Sequence, residues 1–319
     1  MHFGLAKNSL RSLFPRRSVQ YIRARRLATA DSAVGLQNPG AYCKDLVRKH
    51  DYEGFLVSQF WPRELQGGYY ALRAFYVELA MVQDNVTNPT IAKMRMQFWR
   101  DAVKDITNDR PPRHPIALAL HEASQKSNLP VYHLKRIIDA RDAELHTPVH
   151  LTTESLISHA ESTSSTFFYL LLSLLSLSNS STLSHAASHL GVAQTISTLL
   201  RALPYHAQQG RMVIPAEITA KHGVKQEEVF RKGPGAEGIE DAVFEFATLG
   251  NDHLLTARSI FEEKKVPMSA MPVFLAGIPI SRWFERLERA KFDAFSSEVV
   301  QRDWRLAWRM WRGYYNARF

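Results

Sequence analysis

The sequence predicts an all-α chain, and three observations carry that reading. Apolar residues recur at helical spacing over 41–60, 69–86, 89–107, 115–126, 130–145, 152–178, 183–201, 240–263 and 280–290. Strand-like alternation is nearly absent, and no Asn-Gly or Asp-Gly pair marks a hairpin. Turn-forming residues fall between the periodic stretches, at "NDRPPRHP" (108–115), "NLP" (128–130), "SNSS" (178–181) and "KGPGAEG" (232–238).

Taken in order, the stretch over 69–86 contains "AFYVELAMVQDNV" (74–86), which is apolar but carries two carboxylates, Glu78 and Asp84. Residues six apart on a straight helix point about 240° apart, so these two do not share an ion. The residue on the face of Asp84 one turn earlier is Ala80, which has no oxygen to offer. The 89–107 helix starts at Asn88-Pro89, a capping side chain followed by a proline suited to a first turn. The 152–178 helix starts at Thr152 or Thr153, with Glu154 in its first turn. Within it, "STFFYLLLSLLSLS" (165–178) is the most apolar run, but its apolar centre, Phe167 to Leu177, is about half of the ~20 residues a membrane span requires. A buried central helix is expected there. The 183–201 helix is expected to end near Leu203, where Pro204 breaks the regular face between Ala202 and His206. A lone histidine in that position reads as structural before it reads as a metal ligand. At the C-terminus, "RDWRLAWRMWRGYYNARF" (302–319) spaces Trp304, Trp308 and Trp311 as on a helix, among Arg302, Arg305, Arg309 and Arg312. Two outcomes are open for that stripe: a surface for anionic lipid, or a closing helix whose tryptophans pack on the body.

The 319 residues, 45% of them hydrophobic, suit a globular body with ample core. One cysteine, Cys43, excludes a disulfide framework or a cysteine-based zinc site within the chain. The net charge of +9 is concentrated at one end. Residues 1–30 hold Lys7, Arg11, Arg16, Arg17, Arg23, Arg25 and Arg26 and no acid, and without these seven the chain has 33 basic against 31 acidic residues. An Arg-rich, Ser-containing, acid-free segment interspersed with apolar residues has the composition of a mitochondrial transit peptide. The rest of the chain has no matching basic stripe, so no nucleic-acid partner is expected. No apolar core follows the charges, which excludes a secretory signal. The expected organisation is a transit peptide at 1–30 and a single all-α domain over 40–319.

Several stretches together resemble the squalene/phytoene synthase family. "YYALRAFYVELAMVQD" is similar to the family's first aspartate-rich helix, and "MQFWRDAVKDI" followed by "HPIALAL" to the next helix and its His-Pro turn. "IIDARDAEL" resembles the helix after that. "TLLRALPYHAQQGRMVIP" resembles the second aspartate motif, with Arg201, Gly210, Arg211 and Pro215 matching. The resemblance implies an isoprenoid-synthase-like helical bundle with a central cavity.

In active family members the two aspartate motifs hold Mg²⁺ and the diphosphates of two prenyl substrates. Carried onto this chain, the first motif reads Ala80 and Met81 at its leading acids and keeps only Asp84, while the second reads Thr198 for its asparagine and Ala202 and His206 for its acids. Mg²⁺ takes oxygen ligands, and ionising an allylic diphosphate needs that charge neutralised. The resemblance therefore implies degenerate sites, no metal and no cofactor. These losses, with "LRAFYVELAMVQDNV", "MRMQFW", "HAASHLGVAQ" and "RALPYH", resemble a branch of the family that acts as a mitochondrial assembly factor of respiratory complex I. That branch implies a non-catalytic protein at the matrix side of the inner membrane, peripheral to it, acting at an early membrane-arm stage with complex I subunits or other assembly factors as partners. The alternatives are a working prenyl-diphosphate transferase with remodelled ligands, or a lipid-binding protein using the old cavity. Phe75, Met81, Phe98, Phe167, Phe168 and Leu171 are the expected cavity liners if the core is not simply filled. Arg201 and Arg211 stand where the family handles phosphate, either to bind a residual anion or to pair with acids such as Glu78 and Asp84.

Overall fold

The computed structural model describes residues 35–319 with the exception of Thr87. The expected transit peptide, 1–30, lies outside them. All regular structure among the described residues is helical.

The stretch expected as one helix over 41–60 is two: α1, Pro39–His50, and α2, Tyr52–Ser58. Asn38 caps α1 by accepting from the Ala41 amide, and Asp51 ends it. The reason lies in Asp51, whose carboxylate accepts the Gly54 amide at 2.9 Å and so starts a second helix. The next helix, α3, Arg63–Asn85, begins earlier than expected, directly after Pro62. Three helices follow: α4, Pro89–Thr107; α5, Pro115–Lys126; and α6, Val131–His146. Asn88 caps α4 as its sequence indicates.

The helix expected over 152–178 is interrupted. α7, Thr153–Ala160, passes through a π turn at Glu161–Ser165 into α8, Thr166–Leu174. All but one of the residues of α8 are buried, as its composition requires, and no helix among the described residues is long and apolar enough to cross a membrane. The long helix α9, Ser181–Gln208, runs through Pro204 rather than stopping before it. Proline's fixed φ is itself helical, and its cost is the missing N–H and crowding at the carbonyl four residues back. Leu200, Leu203 and Ala207 are buried along one face across that point, and this packing holds the helix together.

Beyond α9 come α10, Ala216–Lys221; α11, Gln226–Lys232; α12, Ile239–Ser259; α13, Met271–Phe274; α14, Gly277–Arg289; α15, Ser297–Val300; and α16, Leu306–Tyr315. α9 lies at the centre, against α12, the π turn, α8 and α14, while α3 packs on α1, α5 and α8. Gly191 of α9 allows its closest approach: a Cβ there would lie 2.4 Å from the backbone nitrogen of Ser165 in the π turn. Trp304 precedes α16 instead of lying on it, in a turn where the Asp303 carboxylate accepts the Arg305 amide at 3.0 Å.

Candidate functional site: a cavity with a self-paired polar wall

α3 and α9 each turn one stripe of side chains into a cavity of about 670 Å³. On α3 the stripe is Tyr69, Arg73, Tyr76, Val77, Ala80 and Met81, at the three- and four-residue spacing of one helix face. On α9 it includes Gln194, Thr195, Thr198, Leu199 and Ala202. Phe167, Phe168 and Leu171 of α8 add apolar wall, and Pro279 and Trp283 of α14 close the far side.

Of the expected liners, Met81, Phe167, Phe168 and Leu171 border this space. Phe75 and Phe98 do not. Phe75 is one residue, and so about 100°, away from Tyr76, and packs edge-on against Trp99 at 5.1 Å between ring centres. Phe98 lies on α4, which is not a wall of the cavity, and is exposed beside Trp99 and His114.

The positions of the two aspartate motifs divide in a regular way. Ala80, Met81, Thr198 and Ala202 face the cavity. Asp84 and His206 come one turn later on the same stripes and lie past its edge. There Asp84 accepts from Arg211 at 2.9 Å. Burial lowers the His206 pKa, Arg211 lowers it further, and Asp84 acts in the opposite direction. Glu78 faces elsewhere: burial raises its pKa, Arg95 acts against that rise, and the His114 ring lies 3.8 Å away. Glu78 and Asp84 therefore belong to different neighbourhoods, as their spacing requires. The thiol of Cys43, close enough to Glu78 to feel its charge, is pushed up to about 12 chiefly by burial.

The cavity does contain carboxylates, each already engaged. Asp51 pairs with Arg73, whose guanidinium also lies 5.0 Å from the Phe167 ring centre. Glu53 pairs with Arg201 at 2.8 Å. Glu144 pairs with Arg141 at 2.7 Å, and Arg141 donates to the Tyr76 hydroxyl at 3.2 Å. Tyr76 bonds Ser164 at 2.8 Å, and Ser164 bonds Thr195 at 2.7 Å, which ties α6, α3, the π turn and α9 into one network. Burial alone would raise the Glu144 carboxyl, but Arg141 and the nearby His159 hold it below its usual range. His159 itself is pushed down to about 4 by burial, against the pull of Glu144. Arg201 stacks 5.5 Å from the Trp283 ring centre and donates to the Pro279 carbonyl at 3.1 Å. Arg286 bonds the backbone carbonyls of Val299 and Gln301.

These residues do not fit the Mg²⁺ that the fold family implies. The cation is held by carboxylates together with phosphate oxygens. Methyl, thioether and hydroxyl side chains occupy the facing positions, and the wall's acids are bound to arginines. Among the described residues no group of three His, Cys, Asp or Glu is arranged to hold a metal ion. Sequence reasoning missed the paired residues Asp51, Glu53, Arg73, Arg141, Glu144 and Arg286. Only the Arg141–Glu144 pair had a local signal, an arginine and an acid three apart in "ARDAEL". The other pairs join residues far apart in the chain.

An α-helical bundle closed around one deep cavity is the architecture of isoprenoid synthases. Residues 47–312 match the family model described as squalene/phytoene synthase, and the chain belongs to that family. It is 38% identical to the Homo sapiens protein named "NADH dehydrogenase (ubiquinone) complex I, assembly factor 6", covering 89% of this chain and 86% of that one. It is 37% identical to the Drosophila melanogaster homologue of the same name, over 86% and 83% of the two chains. Among solved structures, the squalene synthase of Alicyclobacillus acidocaldarius superposes with a TM-score of 0.70 at 16% identity, over 82% of this chain and 97% of that one. A ligand-bound dehydrosqualene synthase superposes with a TM-score of 0.72 at 14% identity, over 88% and 96%. At those identities the structural likeness speaks for the fold.

Proposed function

We propose that this chain is a non-catalytic assembly factor of mitochondrial respiratory complex I. It works on the matrix side of the inner membrane at an early membrane-arm stage, and its prenyl-diphosphate and Mg²⁺ sites are degenerate. The names of relatives in Homo sapiens and Drosophila melanogaster support the assembly role. The observation that carries the non-catalytic reading is the state of the cavity wall: Ala80, Met81, Thr198 and Ala202 face inward, and Asp51, Glu53 and Glu144 are each held by an arginine.

Two measurements test this. Cells lacking the protein should lose assembled complex I on native gels and regain it with the unaltered chain, with subunits or other assembly factors co-purifying. Purified protein incubated with labelled farnesyl or geranylgeranyl diphosphate and Mg²⁺ should return the substrate unchanged; turnover would establish the transferase alternative. On the same reading residues 1 to about 28 are a transit peptide removed on import. Sequencing the mature N-terminus from mitochondria checks this, and an intact Met1 contradicts it.

The apolar side of the cavity, with Met81, Phe167, Phe168 and Leu171, favours a second reading in which a lipid occupies the space. Lipid extraction from the purified protein followed by mass spectrometry tests it.

A further inference from the structure

Six tryptophans divide evenly into two kinds. Trp61, Trp99 and Trp283 are 3%, 1% and 2% exposed, while Trp304, Trp308 and Trp311 are 82%, 58% and 53% exposed. Tyr315 adds a fourth outward ring at 66%. The helix that carries most of them is firmly seated on its other side. Leu306 and Met310 are buried, and the Tyr314 ring lies 5.2 Å from Phe60. The outward rings are thus held in place and have no apolar neighbour to cover them.

The charge around them has one sign. Residues 302–319 hold five arginines and a single acid, Asp303, which Arg309 engages at 3.6 Å. Three of the other guanidiniums flank the aromatic face. Arg305 stacks 4.7 Å from the Trp304 ring centre, Arg312 lies 5.8 Å from Trp308, and Arg302 lies 5.2 Å from exposed Tyr52. This face also adjoins the rim of the cavity. Val300, Gln301 and Arg302 are exposed and line it, as does Tyr52 across from them.

We infer that this face docks on an anionic phospholipid leaflet, with Trp304, Trp308, Trp311 and Tyr315 at headgroup depth and Arg302, Arg305 and Arg312 on lipid phosphates. Indole and phenol rings partition to the membrane interface because one edge is apolar and the other polar, and flanking arginines add attraction to anionic lipid. No exposed acid within 302–319 would meet a basic partner. Docking this way sets the cavity rim against the membrane. The inference rests on the reading that the chain works at the inner membrane, and it names the surface and the lipid charge.

The test uses the full chain with vesicles of phosphatidylcholine alone or of phosphatidylcholine with cardiolipin. The basic segment 1–30 will itself be drawn to anionic vesicles, but it contains no tryptophan. A change in tryptophan emission therefore does not come from that segment, and the buried Trp61, Trp99 and Trp283 give a background shielded from the vesicles. The expected result is a blue shift and quenching by bromolipid with cardiolipin vesicles, little change with phosphatidylcholine, and weakening as salt rises. In R305E/R312E the affinity read from emission should fall by more than about tenfold, with melting unchanged. Emission that does not move with vesicles overturns the inference and leaves the face to a protein partner. A shift insensitive to salt and to lipid charge also overturns it, and this arm needs no variant. Complementation of complex I assembly is read separately, so the docking inference and the assembly reading can fail independently.

Discussion

Arg201 of α9 holds Glu53 of α2 across 148 residues of sequence, with 2.8 Å between Nη1 and the carboxylate. The same guanidinium donates to the Pro279 carbonyl of α14, so one side chain joins three walls of the cavity. Glu53 thus compensates the charge that a free anion would otherwise meet. In Glu53→Gln the charge on Arg201 becomes uncompensated, and inorganic pyrophosphate without Mg²⁺ should raise the melting temperature of that variant but not of the parent. Adding Arg201→Gln should abolish the effect. Protection of the parent by pyrophosphate would show that the pair does not neutralise the site.

The unaltered protein should show no Mg²⁺-coupled binding of a prenyl diphosphate by titration calorimetry, because the positions facing the cavity supply no free carboxylate. Heat that appears only when Mg²⁺ and the diphosphate are both present would contradict the degenerate-site reading.

The Arg73–Asp51 pair is largely shielded from solvent. Removing one partner of such a pair strands the other charge, so Arg73→Met should cost about 3–5 kcal/mol in chemical denaturation. Adding Asp51→Asn to it should recover much of that loss, since asparagine keeps an oxygen for the Gly54 amide and removes the stranded charge. A loss of under ~1 kcal/mol in the single variant would place the pair effectively in water.

Stability should fall in mild acid. Burial pushes His114 and His159 down to about 4 from an ordinary value of 6.5. As pH drops below about 6.5 the unfolded chain takes up protons on both rings while the folded chain stays neutral there, so the unfolded state is favoured until about pH 4. Each ring contributes at most about 1.4 kcal/mol per pH unit over that window. Denaturation midpoints measured across it should decline, and in His159→Gln the decline should be shallower. An unchanged slope in that variant would mean that His159 protonates freely in the folded chain.

The helices were legible because apolar spacing and turn residues are local signals: Asn88-Pro89 marks the start of α4, and "NDRPPRHP" separates α4 from α5. The errors have physical causes. Asp51 splits one apolar stretch by capping a second helix, a choice that depends on Gly54 and Arg73. The chemistry of Pro204 alone predicts a stop, yet packing around Leu200 and Leu203 carries α9 past it. Of the motif positions only Met81 is an expected liner from sequence, and Ala80, Thr198 and Ala202 border the cavity as well. The partners of the cavity's carboxylates did not, because they meet only after the chain has folded. The exposure of the tryptophans was likewise undecided by periodicity, which gives a helix face but not what covers it.

The contact of Gly191 with Ser165 has a mechanical consequence. The Ser165 hydroxyl at this contact is itself bonded to the Ser188 carbonyl of α9 at 2.8 Å, so neither side has a free side chain to yield and α9 and the π turn are held at one spacing. At the edge of the internal space Val299–Asp303 lies between α14 and α16, tied there by the Arg286 bonds to the Val299 and Gln301 carbonyls. The middle of the molecule is thus spaced by direct contact, and the margin beside the outward tryptophans by hydrogen bonds to backbone.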